Sequence, residues 1–302
     1  MRTAAIFFAA LALLPATSEA SSARRARYLM GTVCEVAVGS ADVSDIEGAF
    51  AEAARVESML STWTPDSELS RVNRGERIPS PELSALLEVA SQWSVRTDQA
   101  FDPRMGNLIA VWKTRTTGAL PAEDEIAKAM NALPRRWEEG AFGKGYAIDR
   151  MLAQIGGSEA MIDFGGQVAV RGALRVSIAD PVDRQRPIVA MTIENASLST
   201  SSGSEKTFEV GGRRFSHILD PRTGQALPPR GSASVIAPDA LTADILSTAL
   251  YVMGEDDGLR WADANGVAAV FISPENQISF SDAARGRALR IEVLDRNFTS
   301  KD

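Results

Sequence analysis

The chain has 302 residues, of which 45% are apolar and 24% charged, enough for one large core or two closely packed ones. A formal charge of −7 without a long basic run excludes a nucleic-acid partner held by a broad basic face, leaving room only for a local basic pocket. With one histidine and one cysteine the usual zinc ligand sets are excluded, so a metal here is held by oxygens, as magnesium or calcium is.

At the N-terminus, Arg2 precedes the apolar run "AAIFFAALALL", and small residues surround Ala20. These are the marks of a secretory signal over residues 1–20, cleaved to leave a mature chain of 21–302. The competing reading is an uncleaved anchor, although the run is too short for a membrane span. No cysteine lies near the junction, which excludes a lipoprotein anchor. The expectation is a periplasmic protein without a membrane span.

"TVCEVAV" then reads as a strand with Cys34 buried, and Ile46, Ala49, Phe50, Ala53 and Val56 mark a helix from Val43 to Leu60. "STWTPDSELSRVNRG" reads as a loop, with Pro65, Asp66 and Ser67 as turn and capping residues. Leu83, Leu86, Leu87, Ala90 and Trp93 define a second helix with Pro81 near its start. Residues 101–142 mix turns with a short helix near Glu123 to Leu133, and "KGYAIDRMLAQIGG" is a helix closed by glycines. From Ala160 to Ile236 the pattern becomes strands: "AMIDF", "QVAVRG", "LRVSIA", "PIVAMTIE", "KTFEV", "RRFSHIL" and "SASVIA". Gly165-Gly166 and Gly211-Gly212 are hairpin turns. An apolar helix runs from about Asp239 to Met253, and two or three strands close the chain. With no repeat and no Pro/Gly/Ser-rich linker, the class is α+β in a single domain.

Three stretches carry chemistry. In "EEGAFGKGYAID" (138–149), glycines surround Lys144 where a loop enters a helix, presenting N–H groups, a helix dipole and a point charge that suit a pyrophosphate. A plain glycine-rich turn is the alternative; the spacing matches neither a Walker A loop nor a dinucleotide fingerprint. In the 239–254 helix, Asp244 and Thr248 lie one turn apart on one face. They form either a partial magnesium shell beside a substrate phosphate or, for Asp244, an ion pair with a nearby arginine. The lone histidine stands in "RRFSHILDPRTGQ", where it is either a structural residue at a strand end or a general base. Asp220 and many serines lie near it, but without a G-x-S-x-G elbow a Ser-His-Asp hydrolase is disfavoured.

Taken in chain order, "MGT" (30–32), "STWTPDSELSRVN" (61–73), "AFDPRMGNLIAVW" (100–112), "GAFGKGYAID" (140–149), "DFGGQVAVRG" (163–172), "SSGS" (201–204), "HILDPRTG" (217–224) and "TADILSTALYVMG" (242–254) resemble the ApbE-like flavin transferases, the FAD:protein FMN transferase family. The resemblance implies an α+β fold related to the T-fold, with mixed and antiparallel sheets packed against helices. It implies FAD as substrate, magnesium as cofactor, and transfer of FMN to a threonine hydroxyl of an acceptor protein with release of AMP. Family acceptors are subunits of membrane redox complexes. By the same resemblance the metal is held by Asp244, Thr248 and the backbone of Ala141. FAD is contacted by Met30, Trp63, Ala100, Phe101, Asp102, Glu138, Lys144 and Ile218, and His217 is placed to take the acceptor's proton. The sequence departs from the family pattern at Glu138, where aspartate is usual, and at Arg104, Asn107 and Leu174. Such departures leave open an FAD pyrophosphatase giving FMN and AMP, or a non-catalytic flavin-binding protein.

Overall fold

Alternating burial makes Thr32–Val38 (β2) a strand with Cys34, Val36 and Val38 inward. Ala23–Leu29 (β1) pairs with it through the two-residue turn Met30–Gly31, both at positive φ, 45° and 78°. β1 was hidden in the sequence by its three arginines, which an exposed edge strand tolerates. The computed structural model describes residues 23–39, 43–113, 120–204, 207–286, 290–295 and 297–300; the leader assigned to residues 1–20 lies outside them.

The remaining strands are Ala160–Phe164 (β3), Gln167–Ala179 (β4), Pro187–Ser202 (β5), Thr207–Val210 (β6), Arg213–Ser216 (β7), Ser232–Ala237 (β8), Ala268–Ile272 (β9), Gln277–Phe280 (β10), Glu292–Val293 (β11) and Thr299–Ser300 (β12). One large sheet runs β1-β2-β3-β4-β5-β8-β9-β10-β12, with β11 pairing β5, while β6 and β7 form a separate hairpin. The pairs are antiparallel except β10 with β12, so the α+β class holds.

Helices Val43–Leu60 (α1), Glu68–Asn73 (α2), Pro81–Arg96 (α3), Gly106–Lys113 (α4), Glu123–Met130 (α5), Gly143–Leu152 (α6), Ala240–Met253 (α7), Glu255–Asn265 (α8) and Asp282–Gly286 (α9) complete the chain. The middle of the sheet is buried on both faces: Val235 and Ala269 enter a main core with α1, α3, α6 and α7, whereas Ile236 and Val270 enter a second with Ile188 and Ile278. A smaller cluster gathers Trp112, Ile126, Phe215 and Leu219. Among the described residues no helix is long and apolar enough to cross a membrane.

Several expectations are corrected. Residues 68–73 are helix α2 rather than loop; the predicted cap Ser67 does accept from Ser70 N, at 3.0 Å, but six residues are too few to show a period. The stretch read as turns after Phe101 contains α4. "QVAVRG" and "LRVSIA" are one strand, bent by a bulge between Val170 and Ala173 where Gly172 takes φ +83°. α8, with three acidic residues in its first turn and only Gly258 and Ala262 buried, escaped the apolar pattern, and four closing strands stand where two or three were expected. β7 ends at Ser216, one residue before the histidine.

Candidate functional site

The first turn of α7 is where three elements converge. Asp239 caps it by accepting from Thr242 N at 2.7 Å, and Asp149 of α6 accepts from Ala240 N at 2.7 Å and Leu241 N at 2.9 Å. Both carboxylates meet the positive end of the helix. From β4, Gln167 donates through Nε2 to Ala240 O at 2.7 Å. Burial lifts the Asp149 carboxyl to about 6, aided by the nearby charges of Asp239 and Asp244 and opposed by the two N–H groups.

One turn further on, the buried carboxylate of Asp244 accepts from Gly145 N at 2.9 Å. Only glycine fits there. A Cβ at residue 145 would lie 2.8 Å from Asp244 Cβ and collide with Ala240 O. The glycine beside Lys144 therefore joins the start of α6 to α7, backbone against side chain. Thr248 is tied to the sheet through Ser201, its Oγ1 lying 3.2 Å from Ser201 Oγ, which in turn lies 3.0 Å from Ser247 Oγ.

The loop before α6 gathers other expected residues. Glu139 O accepts from Phe142 N at 3.1 Å and Gly143 N at 2.7 Å, which tightens the turn that carries Ala141. A Cβ on Gly143 would lie 3.6 Å from Met30 Cε, so the β1–β2 turn abuts this loop. Phe101 packs edge-on against Phe142 with centroids 6.5 Å apart. Its neighbour Ala100 is buried, and Asp102 is committed to Arg135 Nη2 at 2.6 Å and Arg104 N at 2.8 Å. Trp63 is 75% exposed. The residue before it, Thr62, donates from N to Glu139 Oε1 at 3.0 Å and from Oγ1 to Glu138 Oε2 at 3.3 Å.

The histidine segment docks from the other side. Ser216 N donates to Leu227 O at 2.7 Å, and Ile218 N to Ser216 Oγ at 3.1 Å. Gly203 is wedged between Ser216 and Tyr251 of α7; a Cβ there would lie 2.9 Å from Ser216 Cβ. His217 and Ile218, which follow Ser216 in the chain, are half-buried. Asp220 is occupied by Arg222, through N, Nε and Nη2 at 2.9 Å each. A histidine-orienting role for that carboxylate is therefore not supported.

The structure thus joins Asp244 to the Gly-Lys loop directly, sets Met30 and Phe101 against that loop, and latches the Trp63 segment to Glu138. It holds His217 and Ile218 through Ser216, and it turns Asp102 towards arginines. Sequence reasoning missed Glu139, Asp149, Gln167, Ser201 and Ser247. Asp149 alone left a trace, four residues after Gly145 and so on the same helix face. For a divalent cation, Asp244, Thr248 and the carbonyl of Ala141 offer oxygen only. Among the described residues no group of three or more His, Cys, Asp or Glu gathers to hold a metal. A carboxylate, a hydroxyl and a carbonyl are the kinds of oxygen that suit magnesium shared with a phosphate ligand.

Comparison with known proteins follows the same lines. The family model described as the ApbE family matches residues 30–271. An FAD:protein FMN transferase of Haemophilus influenzae is 28% identical over 258 residues, 72% of this chain and 75% of that one. One from Treponema pallidum is 28% identical over 328 residues, 91% of this chain and 90% of that one. Among solved structures, the apo form of the Pseudomonas stutzeri flavinyl transferase ApbE superposes with a TM-score of 0.73 at 25% identity, covering 87% of this chain and 96% of that one. The flavin transferase ApbE of Vibrio cholerae gives 0.75 at 22% identity, covering 88% and 99%, and so shares the fold.

Proposed function

Because the chain belongs to the ApbE family, we propose that it is an FAD:protein FMN transferase that moves FMN onto a threonine hydroxyl of an acceptor protein. The observation that supports this reading is the hydrogen bond from Gly145 N to Asp244, which joins the Gly-Lys loop, assigned here to phosphate, to the helix assigned here to the metal. In the reaction the threonine oxygen forms a bond to the FMN phosphorus while the bridging P–O bond breaks, and AMP leaves with the bridging oxygen. Asp244, Thr248 and the Ala141 carbonyl would hold magnesium, which would supply charge neutralisation of the pyrophosphate. Lys144 and the N–H groups at the start of α6 hold the phosphates in place. His217 takes the proton from the threonine hydroxyl, a poor nucleophile at neutral pH.

Incubating the protein with FAD, magnesium and a threonine-bearing acceptor tests this by mass spectrometry. The expected result is an FMN-sized adduct on threonine with equimolar AMP. FMN and AMP without adduct would instead mark a pyrophosphatase. The Arg2-led apolar run and the small residues around Ala20 support export to the periplasm. In an exporting host, N-terminal sequencing should read a mature start near Ser21, and Met1 retained in a membrane fraction would refute it.

A further inference from the structure

A chain of hydroxyls joins Thr248 to the buried side of α7, and its donors and acceptors run in one direction. Ser199 and Ser201 alternate along β5 and so share a face. Both reach Ser247 of α7: Ser199 Oγ lies 3.2 Å and Ser201 Oγ 3.0 Å from Ser247 Oγ. Ser201 Oγ also lies 3.2 Å from Thr248 Oγ1. Ser199 and Ser247 are buried, whereas Ser201 and Thr248 are half-buried. Ser247 Oγ in turn donates to the carbonyl of Asp244 at 3.0 Å, three residues back along the helix.

A hydroxyl has one proton to give and two lone pairs to receive with, whereas a carbonyl oxygen only receives. Ser247 gives its proton to Asp244 O, so it receives from both Ser199 and Ser201. Ser201, having given its proton to Ser247, receives from Thr248. The chain therefore ends with Thr248 Oγ1 as a donor towards β5, and both of its lone pairs are left over. A hydroxyl that ligates a cation must offer it a lone pair and not a proton. We propose that Ser201 and Ser247 are positioning residues for the metal: they draw the Thr248 proton away and set its oxygen as a ligand in advance. This rests on the magnesium reading above. Outer partners that orient a metal ligand typically govern affinity by about tenfold to a hundredfold. Ser199 bonds the same Ser247 but stands on a side branch, and its loss frees no proton to turn towards Thr248.

Calorimetric titration of magnesium into the protein saturated with FAD, with no acceptor present, reads the metal site apart from turnover. Ser201→Ala leaves the Thr248 proton without its acceptor, so magnesium affinity should fall about tenfold or more. Ser247→Ala should do the same without touching the Ser201–Thr248 pair, because the Ser201 proton then turns towards Thr248 and reverses that bond. Ser199→Ala removes a hydrogen bond from the same buried cluster and should leave magnesium affinity unchanged. FAD affinity measured without magnesium should be the same in all four proteins, which separates an oriented ligand from a general loss of packing. Wild-type magnesium affinity in a folded Ser201→Ala, or an equal loss in Ser199→Ala, overturns the assignment. Should Ser201→Ala not fold, Ser247→Ala decides by the same measure. A wild type that binds FAD but no magnesium overturns the metal reading itself, and that result is distinct from wild type and variants binding magnesium equally.

Discussion

Asp149 and Arg150 are consecutive on α6, and their side chains enter two regions built on different terms. Arg150 reaches Glu52 of α1 at 3.0 Å, and Glu52 also faces Arg55, which in turn binds Glu82, the acceptor from Tyr146 Oη. On this rim every carboxylate meets a guanidinium, and the hydrogen bond from Arg55 leads in holding Glu52 down at about 2. Asp149 meets only backbone N–H groups of α7, and burial lifts it to about 6. Asp163 follows the same rule: Gly166 N donates to it at 2.9 Å, and burial raises it to about 6. Guanidinium pairing neutralises a carboxylate where helices are joined. Backbone amides instead orient a carboxylate through N–H groups, and Gly145 N does so for Asp244.

The largest effects should come from breaking that second region. Asp244→Asn keeps an oxygen for Gly145 N but loses the charge proposed to hold the metal, so FMN transfer should fall by roughly 10³-fold or more while folding is retained. His217→Ala should still fold and bind FAD, yet transfer about 10²-fold or more slowly. Stopped assays of adduct formation, with thermal unfolding alongside, measure both. If Asp244→Asn lost stability and kept magnesium-dependent turnover, the α6–α7 junction would be a structural cap of the rim's kind.

What the sequence disclosed of these regions was uneven for physical reasons. α1 and α7 follow a helical period with buried residues at i, i+3 and i+4, so their limits were legible to within a residue. Gly165-Gly166 announced its hairpin because both residues need positive φ. The Asp244–Thr248 spacing was visible because both lie on one helix. The Gly145–Asp244 bond spans 99 residues and the Glu139–Thr62 latch 77, and no local pattern encodes such separations. Asp149 looked like any polar residue on a helix until α7 crossed it.

The next effect is one of pH. Asp163 is raised from 3.8 to about 6, first by burial and then by the charge of Glu35. A carboxyl raised in the folded state contributes stability that is complete below its unfolded value and is lost as pH rises through its folded one. Between pH 4 and 7 the native state should lose up to about 3 kcal/mol on this account. Urea unfolding at pH 4.5 and 7.5 should show the difference, and Asp163→Asn should flatten it. Equal slopes in the two proteins would mean that Arg24 and Arg184, which act to lower the value, compensate the charge in full.

The smallest effect tests the rim. Arg55 bonds Glu52 at 2.9 and 2.8 Å and Glu82 at 2.9 and 2.6 Å, but its side chain is 41% exposed. Ion pairs this open to water contribute about 0.2–1 kcal/mol each and are screened by salt. Glu52 keeps Arg150 when Arg55 is removed. Arg55→Ala should therefore cost about 1 kcal/mol at low ionic strength and less at 1 M salt, with transfer unchanged. The sign in acid is opposite to that of Asp163. A carboxyl lowered to about 2 contributes stability present above its ordinary 4.5 and lost as pH falls towards 2, so wild type and variant should converge there. A loss well beyond 1 kcal/mol that persists in high salt, or slower transfer, would place the rim in the site's machinery and erase the distinction between the two faces of α6.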